Sequence, residues 1–501
     1  MVINIILAIL VLSIIIIIHE FGHFIVAKAN GITVVEFSLG FGPKLIHFKK
    51  GETEYSLKLL PFGGACIMLG EDFLEADDDE QEDATEGNNT GKSGSELDND
   101  FCNGKTAEDN GFGNTSRYSS DNTSAGSYMS EKKKQEALEA GYDMSKSFAN
   151  KSVWARIAVI AAGPIFNFIL AFVCSVVIIG SIGYDPCMVD VVYDNSPAVS
   201  AGLQEGDKII KVNNQKITFY RDYSFYRVYH ADDTMNITYE RDGQKYTTTL
   251  TPEYVKQQKY QMGVTLEQNG TIAGVSDGTP AQKAGIKKGD IITAVNGVAV
   301  DGSTKIIELV GQCNGESVDI TINRNGNTMQ LNVTPDSVEN EYYYTGFASY
   351  GARQKVSPIS VIGYAFKEVG YSVNTVVKSL GMMFTGQVGI NDLSGPVGTV
   401  SAMSNIVEES KADGTFYVIL NLLNLAGLIS ANLGVMNLLP IPALDGGRLV
   451  FLILEVLRGK PVKKEHEGMV HFVGMIFLFV LMIYVMFKDC LLYTSNAADE
   501  L

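Results

Sequence analysis

The chain has 501 residues, of which 46% are apolar, and a formal net charge of −18 at neutral pH. That apolar fraction is ordinary, but the apolar residues are concentrated in four long runs, which excludes an ordinary soluble architecture. Most of the negative charge comes from residues 71–150, which hold 20 acidic and 7 basic side chains. The acidic balance therefore describes one segment rather than a binding surface, and we predict no nucleic-acid partner.

The four apolar runs predict a multi-pass membrane protein with four transmembrane helices, since each run approaches the roughly 20 residues that cross a bilayer. The first run has no charged segment before it and no small-residue cleavage site, so we expect it to be retained. Basic residues flank the first and third connections but are absent from 184–195, which places both termini and residues 184–415 outside the cytoplasm. The predicted spans are residues 2–27, 157–182, 416–438 and 470–487.

The first span contains the sequence HEFGH at residues 19–23. On a helix, His19 and His23 share one face, where two imidazoles can bind one zinc ion, and Glu20 lies beside them as a candidate general base. Ionisable side chains are costly in a membrane span unless they are paired or bind a metal. We therefore interpret HEFGH as a zinc site rather than as two incidental histidines.

Two short strands are predicted after the first span, at residues 44–48 and 54–60, because both flank a Lys-Gly-Glu turn. We expect this cytoplasmic β-hairpin to offer an edge to which an unwound substrate adds as a strand. Residues 71–150 follow, rich in Ser, Asn, Gly and Asp and without periodicity. Their composition predicts a disordered cytoplasmic insertion.

Between the second and third spans the sequence repeats itself. Residues 196–213 and 279–296 match at nine of eighteen positions with an offset of 83 residues, which indicates two copies of one module. In each copy a short helix, a Gly-Asp turn and an alternating strand follow one another, and both copies resemble PDZ domains. Two roles stay open for these extracytoplasmic α/β modules: peptide ligands bound by strand addition, or steric exclusion of bulky substrates.

Residues 357–385 place Lys367, Glu368 and Lys378 among apolar positions at helical spacing. This pattern predicts an amphipathic helix on the outer membrane face. A substrate gate and an ordinary packed helix are both consistent with it.

Asp445 lies just after the third apolar run, in the sequence NLLPIPALDGG at residues 437–447. An Asp-Gly-Gly sequence alone is typical of a turn. A zinc peptidase, however, needs a third protein ligand and an open fourth position for water. Paired with HEFGH, Asp445 becomes the candidate third ligand.

These motifs resemble the site-2 protease family of intramembrane zinc metalloproteases, of the bacterial regulator-of-sigma-E-protease type. The resemblance implies Zn²⁺ held by His19, His23 and Asp445, with Glu20 as general base. It also implies transmembrane protein substrates in the bacterial inner membrane, such as anti-sigma factors or remnant signal peptides. The place of His19 near the cytoplasmic end of the first span predicts cleavage toward the cytoplasmic side. The motifs that carry it are HEFGH at 19–23, GFGPKL at 40–45, LPFGG at 60–64, AAGPIFNF at 161–168, SGPVG at 394–398 and NLLPIPALDGG at 437–447.

The resemblance also places Asn437 in the segment that holds substrate. Unwound backbone in lipid needs new hydrogen-bond partners, which the amides of Asn432 and Asn437 would supply. Pro442 belongs to the same substrate-binding segment. Hydrogen bonding between helices is the alternative role for the asparagines.

The competing hypothesis is a membrane scaffold in which the PDZ-like modules recruit partners and the metal site is not catalytic. A structural zinc would need a closed fourth position, and no additional Cys or His lies beside LDGG to close it. We therefore predict a zinc metalloendopeptidase.

The last residues, 490–501, fit neither a continued helix nor the usual charged tail and are left out of the functional interpretation. The predicted divisions are the first transmembrane helix (1–30), the hairpin region (31–70), the acidic insertion (71–150), the second transmembrane helix (151–183), the two PDZ-like modules (184–268 and 269–350), the amphipathic helix and loop (351–413), the third transmembrane helix with LDGG (414–448), the cytoplasmic and fourth transmembrane helices (449–489), and the tail (490–501).

Overall fold

The computed structural model describes residues 2–70, 138, 141–267, 269–386, 389, 395–411 and 414–498. Residues 71–140 of the predicted disordered insertion lie outside these described residues, except for residue 138. The prediction of disorder is wrong for its last ten residues, 141–150, which include 3₁₀ helices at Met144–Lys146 and Phe148–Asn150, because Phe148 is buried in an apolar cluster. The chain divides into two compact units: Gly183–Lys355, and the segments on either side of it, Met1–Ile182 with Val356–Leu501.

Long helices make up most of the unit formed by the two outer segments. Four of them contain stretches long and apolar enough to cross a membrane, at Ile6–Ala29, Val153–Ile182, Thr415–Leu438 and His466–Asp489. In chain order the α-helices of the described residues are α1 Val2–Ala29, α2 Val153–Ile182, α3 Pro197–Ser200, α4 Tyr220–Tyr229, α5 Pro280–Lys283, α6 Ser303–Gln312, α7 Pro358–Phe384, α8 Pro396–Ser410, α9 Thr415–Leu438, α10 Asp445–Arg458 and α11 Lys464–Ala498.

Helix α2 is central to this unit and packs against α1, α7, α9 and α10. Small residues allow α1 and α9 to approach α2 closely. A Cβ added to Gly22 of α1 would lie 2.5 Å from the Ala162 carbonyl oxygen of α2, and one added to Gly434 of α9 would lie 2.9 Å from the Phe168 ring. The predicted amphipathic segment is α7, which packs on α2 and α9.

The prediction that the last helix stops before Cys490 is wrong, because α11 continues to Ala498. The physical reason is that residues 490–498 contain no Gly or Pro to end a helix and include good helix formers such as Leu and Ala.

Strands β1 and β2 pair antiparallel in the same unit, and both bend, so that residues 36–39 pair with 54–57 and also with 64–67. The predicted hairpin is therefore the turn end of a larger sheet. The strands are β1 Val34–Lys50, β2 Thr53–Met68, β3 Val191–Val192, β4 Lys208–Val212, β5 Gln215–Lys216, β6 Met235–Arg241, β7 Gln244–Leu250, β8 Glu253–Gln261, β9 Val264–Leu266, β10 Ile272–Val275, β11 Ile291–Val295, β12 Val298–Ala299, β13 Val318–Arg324, β14 Asn327–Val333, β15 Asp336–Tyr344 and β16 Phe347–Ala348.

The unit Gly183–Lys355 contains both copies of the sequence repeat. The first repeat runs from β3 to β9 and the second from β10 to β16, and equivalent elements are 83 residues apart. Each repeat forms a four-stranded antiparallel sheet, β5-β4-β6-β7 in one and β12-β11-β13-β14 in the other. We call the cores built around these two sheets module 1 and module 2.

The two modules exchange their last strands. Strand β16, from the second repeat, pairs with β3 of the first, while β9, from the first repeat, pairs with β10 of the second. Phe347 accordingly belongs to the buried core of module 1, and Met262 to that of module 2. Strands β8 and β15 cross between the modules as an antiparallel ribbon in which Gln257 pairs with Asn340, its equivalent in the repeat.

Each module contains an equivalent ion pair between a buried aspartate and a half-buried arginine. Arg241 contacts Asp207 through two hydrogen bonds of 2.6 and 2.7 Å, and Arg324 contacts Asp290 through two of 2.7 Å. Burial alone would raise the pKa of Asp290, but its hydrogen bonds, led by that from Arg324, hold this pKa below the ordinary value. The Gly-Asp turn of the repeat is therefore a structural feature in both modules.

Candidate metal centre

Three potential metal ligands converge where α1 meets the start of α10. The Nε2 atoms of His19 and His23 are 3.3 Å apart, and Asp445 Oδ2 lies 3.2 Å from the first and 3.3 Å from the second. Ligand atoms bound to a tetrahedral zinc at 2.0–2.1 Å are about 3.3 Å apart. The near-equilateral triangle therefore fits one zinc ion.

The surroundings of the triangle also suit a metal. Both histidines are buried, with 8% and 6% of their surface exposed. Asp445 Oδ2 is buried too, and among the described residues no donor makes a hydrogen bond to it. A carboxylate oxygen in that position is costly unless a cation compensates it.

The His23 ring is oriented by α2. Its Nδ1 lies 2.8 Å from the Val159 carbonyl oxygen. A carbonyl can only accept a hydrogen bond, so Nδ1 carries the proton and the Nε2 lone pair faces the triangle.

Asn167, a fully buried residue of α2, contacts the other ring. Its amide nitrogen is placed 3.1 Å from His19 Nδ1, while its Oδ1 has no hydrogen-bond partner within the described part of the chain. Exchanging the amide oxygen and nitrogen, which differ only by assignment, lets Oδ1 accept from the His19 Nδ1–H. Both rings then present the Nε2 lone pair to the metal.

Gly163 of α2 leaves the space that the two rings occupy. A Cβ at this position would clash with His23 Nε2 and would lie 2.7 Å from His19 Cε1. The AAGPIFNF sequence therefore supplies both the gap at Gly163 and the polar contact from Asn167. The motif contributes to the family resemblance, but the sequence alone indicates no role for either residue.

Asp445 is the first residue of α10 and follows a tight loop after α9. Two glycines let that loop fold back over the start of the helix. A Cβ at Gly446 would clash with the Leu439 carbonyl oxygen, and a Cβ at Gly447 would lie 2.6 Å from the Ile441 carbonyl oxygen. The glycines of LDGG thus permit the turn that presents Asp445 to the histidines.

Glu20 is half-buried on α1 beside strand β2. A Cβ at Gly64 would lie 3.0 Å from Glu20 Cγ, so the strand passes next to the candidate base. Glycine at this position in LPFGG allows that approach.

The three predicted substrate-binding residues lie on α9 and on the loop that follows it. Asn437 is buried in the last turn of α9, and Asn432 lies two turns from that helix end with its Oδ1 buried. Pro442 packs closely against Gly474 of α11. Their role in substrate binding stays a prediction.

Comparison with known proteins gives extensive matches. A model of peptidase family M50 matches residues 7–481. Zinc metalloprotease RasP of Bacillus licheniformis is 30% identical over 506 residues, covering 96% of this chain and 97% of that protein. Regulator of sigma-W protease RasP of Bacillus subtilis is 29% identical, covering 94% of each chain.

Among solved structures, the HtrA3 PDZ domain bound to a phage-derived ligand is similar to 17% of this chain. The similarity covers 93% of that domain, with 19% identity and a TM-score of 0.16.

Proposed function

The chain belongs to peptidase family M50 and is a zinc metalloendopeptidase, and we propose that it cleaves membrane-embedded proteins at the centre formed by His19, His23 and Asp445. The observation that carries this proposal is the triangle of ligand atoms with sides of 3.2–3.3 Å. Full-length similarity to named zinc metalloproteases favours an enzyme over the scaffold hypothesis.

Zinc, when bound, supplies the Lewis acidity that activates water and polarises the peptide carbonyl. Glu20, one residue after His19, would act as the general base in the attack on the peptide carbonyl and would protonate the leaving amine. Val159 and Asn167 keep the two imidazoles in the orientation that binding requires, by accepting from the ring nitrogens that face away from the triangle.

We propose that substrate lies extended along residues 64–67 of β2 rather than along the predicted hairpin of 44–48 and 54–60. Residues 36–39 pair with both 54–57 and 64–67, and 64–67 have no second strand partner among the described residues. Gly64 adjoins Glu20, so this segment lies beside the candidate base. Strand pairing would hold the unwound substrate backbone through main-chain hydrogen bonds, which lipid cannot supply. The amides of Asn432 and Asn437 are proposed additional partners.

The proposed substrates are single-span membrane proteins, anti-sigma factors among them, with remnant signal peptides as a second class. A relative's name, regulator of sigma-W protease, supports the first class. We place the enzyme in the bacterial inner membrane with the active site toward the cytoplasm and the PDZ-like modules outside, on the distribution of basic residues. Peptide binding and size exclusion both stay predictions for these modules.

The test is cleavage of a single-span model substrate by the reconstituted Glu20→Gln variant, with zinc content measured in parallel. We expect cleavage to fall about 10⁴-fold, because the base is lost, while zinc binding persists because the ligands remain. Glu267→Gln, an exposed carboxylate in the Gly183–Lys355 unit, is the control and should cleave normally.

Normal cleavage by Glu20→Gln would exclude Glu20 as the base. Full zinc occupancy of the wild-type protein without cleavage of any membrane-embedded substrate would instead favour the scaffold.

A further inference from the structure

His471 lies deep in the helix-packed unit, although its place near the start of the fourth apolar run suggests an interfacial residue. It belongs to α11 and is 5% exposed. Its Nδ1 lies 2.9 Å from the backbone nitrogen of Ala443 and accepts a hydrogen bond from that N–H. Ala443 is two residues before Asp445, so a side chain of the last helix contacts the loop that presents the third candidate ligand.

The backbone at Ala443 needs such support. Its φ is +73°, a left-handed conformation that residues with a Cβ adopt only at a cost in free energy. A conformation of this kind persists where surrounding contacts hold it. The hydrogen bond to His471 is made by the strained residue itself.

A second contact reaches the adjacent loop residue from the same face of α11. Gly474 lies three residues after His471, and a Cβ there would clash with the Pro442 ring and would lie 3.0 Å from the Pro442 carbonyl carbon. Helix α11 thus holds Pro442 by close packing and Ala443 by a hydrogen bond. Together these contacts fix the path of the chain into Asp445.

We propose that His471 is a positioning residue for the metal centre: it holds Ala443 in the left-handed conformation that directs Asp445 toward His19 and His23. The proposal rests on the proposed role of Asp445 as a ligand. In the described part of the chain the ligand atoms that converge on one point are those of His19, His23 and Asp445, and His471 is not among them.

The chemistry of the contact predicts which substitutions preserve it. In His471→Asn, Oδ1 is attached to Cγ as Nδ1 is and can accept from the same N–H. In His471→Gln the amide is one carbon farther from the backbone, and in His471→Leu there is no acceptor. Ala443→Gly keeps the N–H but removes the cost of positive φ, so the loop should depend less on His471.

The experiment measures zinc affinity by competition with a chelator, and the visible spectrum of the Co²⁺-substituted protein, for the full-length chain in detergent or nanodiscs. We expect His471→Leu and His471→Gln to bind zinc about 10–100-fold more weakly and to show an altered Co²⁺ spectrum, as for other residues that orient metal ligands. His471→Asn should lie closer to wild type. Adding Ala443→Gly to His471→Leu should recover part of the lost affinity.

Asp445→Asn separates failure of this proposal from failure of the proposed centre. If Asp445→Asn leaves zinc affinity and the Co²⁺ spectrum unchanged, the centre itself is wrong. If Asp445→Asn weakens zinc but a folded His471→Leu variant matches wild type in both readouts, the positioning role is wrong. Should His471→Leu fail to fold, the pair His471→Asn and His471→Gln decides, and equal zinc affinity of the two would overturn the proposal.

Discussion

Packing among the apolar helices and packing inside the PDZ-like modules depend on different kinds of contact. Around the metal centre, helices approach where side chains are missing, at Gly22 and Gly163, and a polar contact joins Ser430 Oγ to the Asn167 carbonyl oxygen at 2.8 Å. In the modules, large aliphatic side chains such as Ile237 and Ile320 fill continuous cores.

The solvent explains the difference. Apolar helices in lipid gain little from burying more apolar surface, so close approach and hydrogen bonds decide their packing. Modules in water gain mainly from removing apolar surface from water. We therefore expect substitutions that enlarge a side chain to disrupt the helix-packed unit most. Substitutions that shorten a buried side chain should destabilise the modules most.

The largest effect is expected from one added methyl group beside the metal centre. Gly163→Ala would place a Cβ against both imidazoles, so zinc affinity should fall by more than about 100-fold. Chelator competition measures this loss. Gly180→Ala, on the same helix, is the matched control, because its Cβ would meet no atom nearer than 4.0 Å.

Tight zinc binding by Gly163→Ala would show that α1 and α2 can separate enough to accommodate an added methyl group. The helix-packed unit would then not be more sensitive to added atoms than the modules are. Weak binding by the Gly180→Ala control would show that α2 tolerates no substitution, which would make the Gly163 result uninformative about the rings.

A removed side chain tests the modules. Phe347→Ala should destabilise by about 3 kcal/mol, since a large buried side chain is lost. Because β16 packs in module 1, hydrogen exchange should accelerate in β4 and β6, although Phe347 belongs to the second repeat. Val264→Ala, at the equivalent position of the first repeat, should loosen β11 and β13 instead.

Faster hydrogen exchange in β11 and β13 of Phe347→Ala, with β4 and β6 unaffected, would mean that the last strand of each repeat packs within its own repeat. Strand exchange would then be excluded in solution.

The smallest effect is expected where a polar contact is lost without a large change in volume. Asn167→Leu removes the acceptor for His19 Nδ1–H and should weaken zinc binding about 10-fold or somewhat more. Asn167→Asp keeps an acceptor oxygen and should bind zinc more tightly than Asn167→Leu. Equal affinities for the two variants, measured by the same competition, would show that the His19 orientation does not depend on residue 167.

The candidate ligands could be predicted because their spacing or their pairing carries the chemistry. His19 and His23 are four residues apart, which places them on one helix face, and Asp445 is a candidate because its turn sequence occurs in the same chain as HEFGH. The contributions of Gly163 and Asn167 could not be predicted, because they depend on how closely α2 approaches α1. Helical periodicity records which face is apolar but not the distance between two helices.

Strand exchange between the modules was not predictable for a different reason. Strands β9 and β16 are only three and two residues long, so nothing in their local sequence specifies which module each one joins. His471 reads as an interfacial residue for a related reason, since its hydrogen bond depends on the backbone conformation of Ala443. A contact set by a positive φ in a non-glycine residue leaves no pattern in the sequence.

The central claim is that one zinc ion is bound by residues from the first helix and from the start of α10. The most direct measurement is anomalous diffraction at the zinc edge from crystals of the zinc-loaded Glu20→Gln variant. The account predicts one peak within about 2.0–2.2 Å of His19 Nε2, His23 Nε2 and a carboxylate oxygen of Asp445. A peak bonded to the imidazoles with Asp445 beyond bonding distance, or a peak elsewhere in the protein, would contradict it.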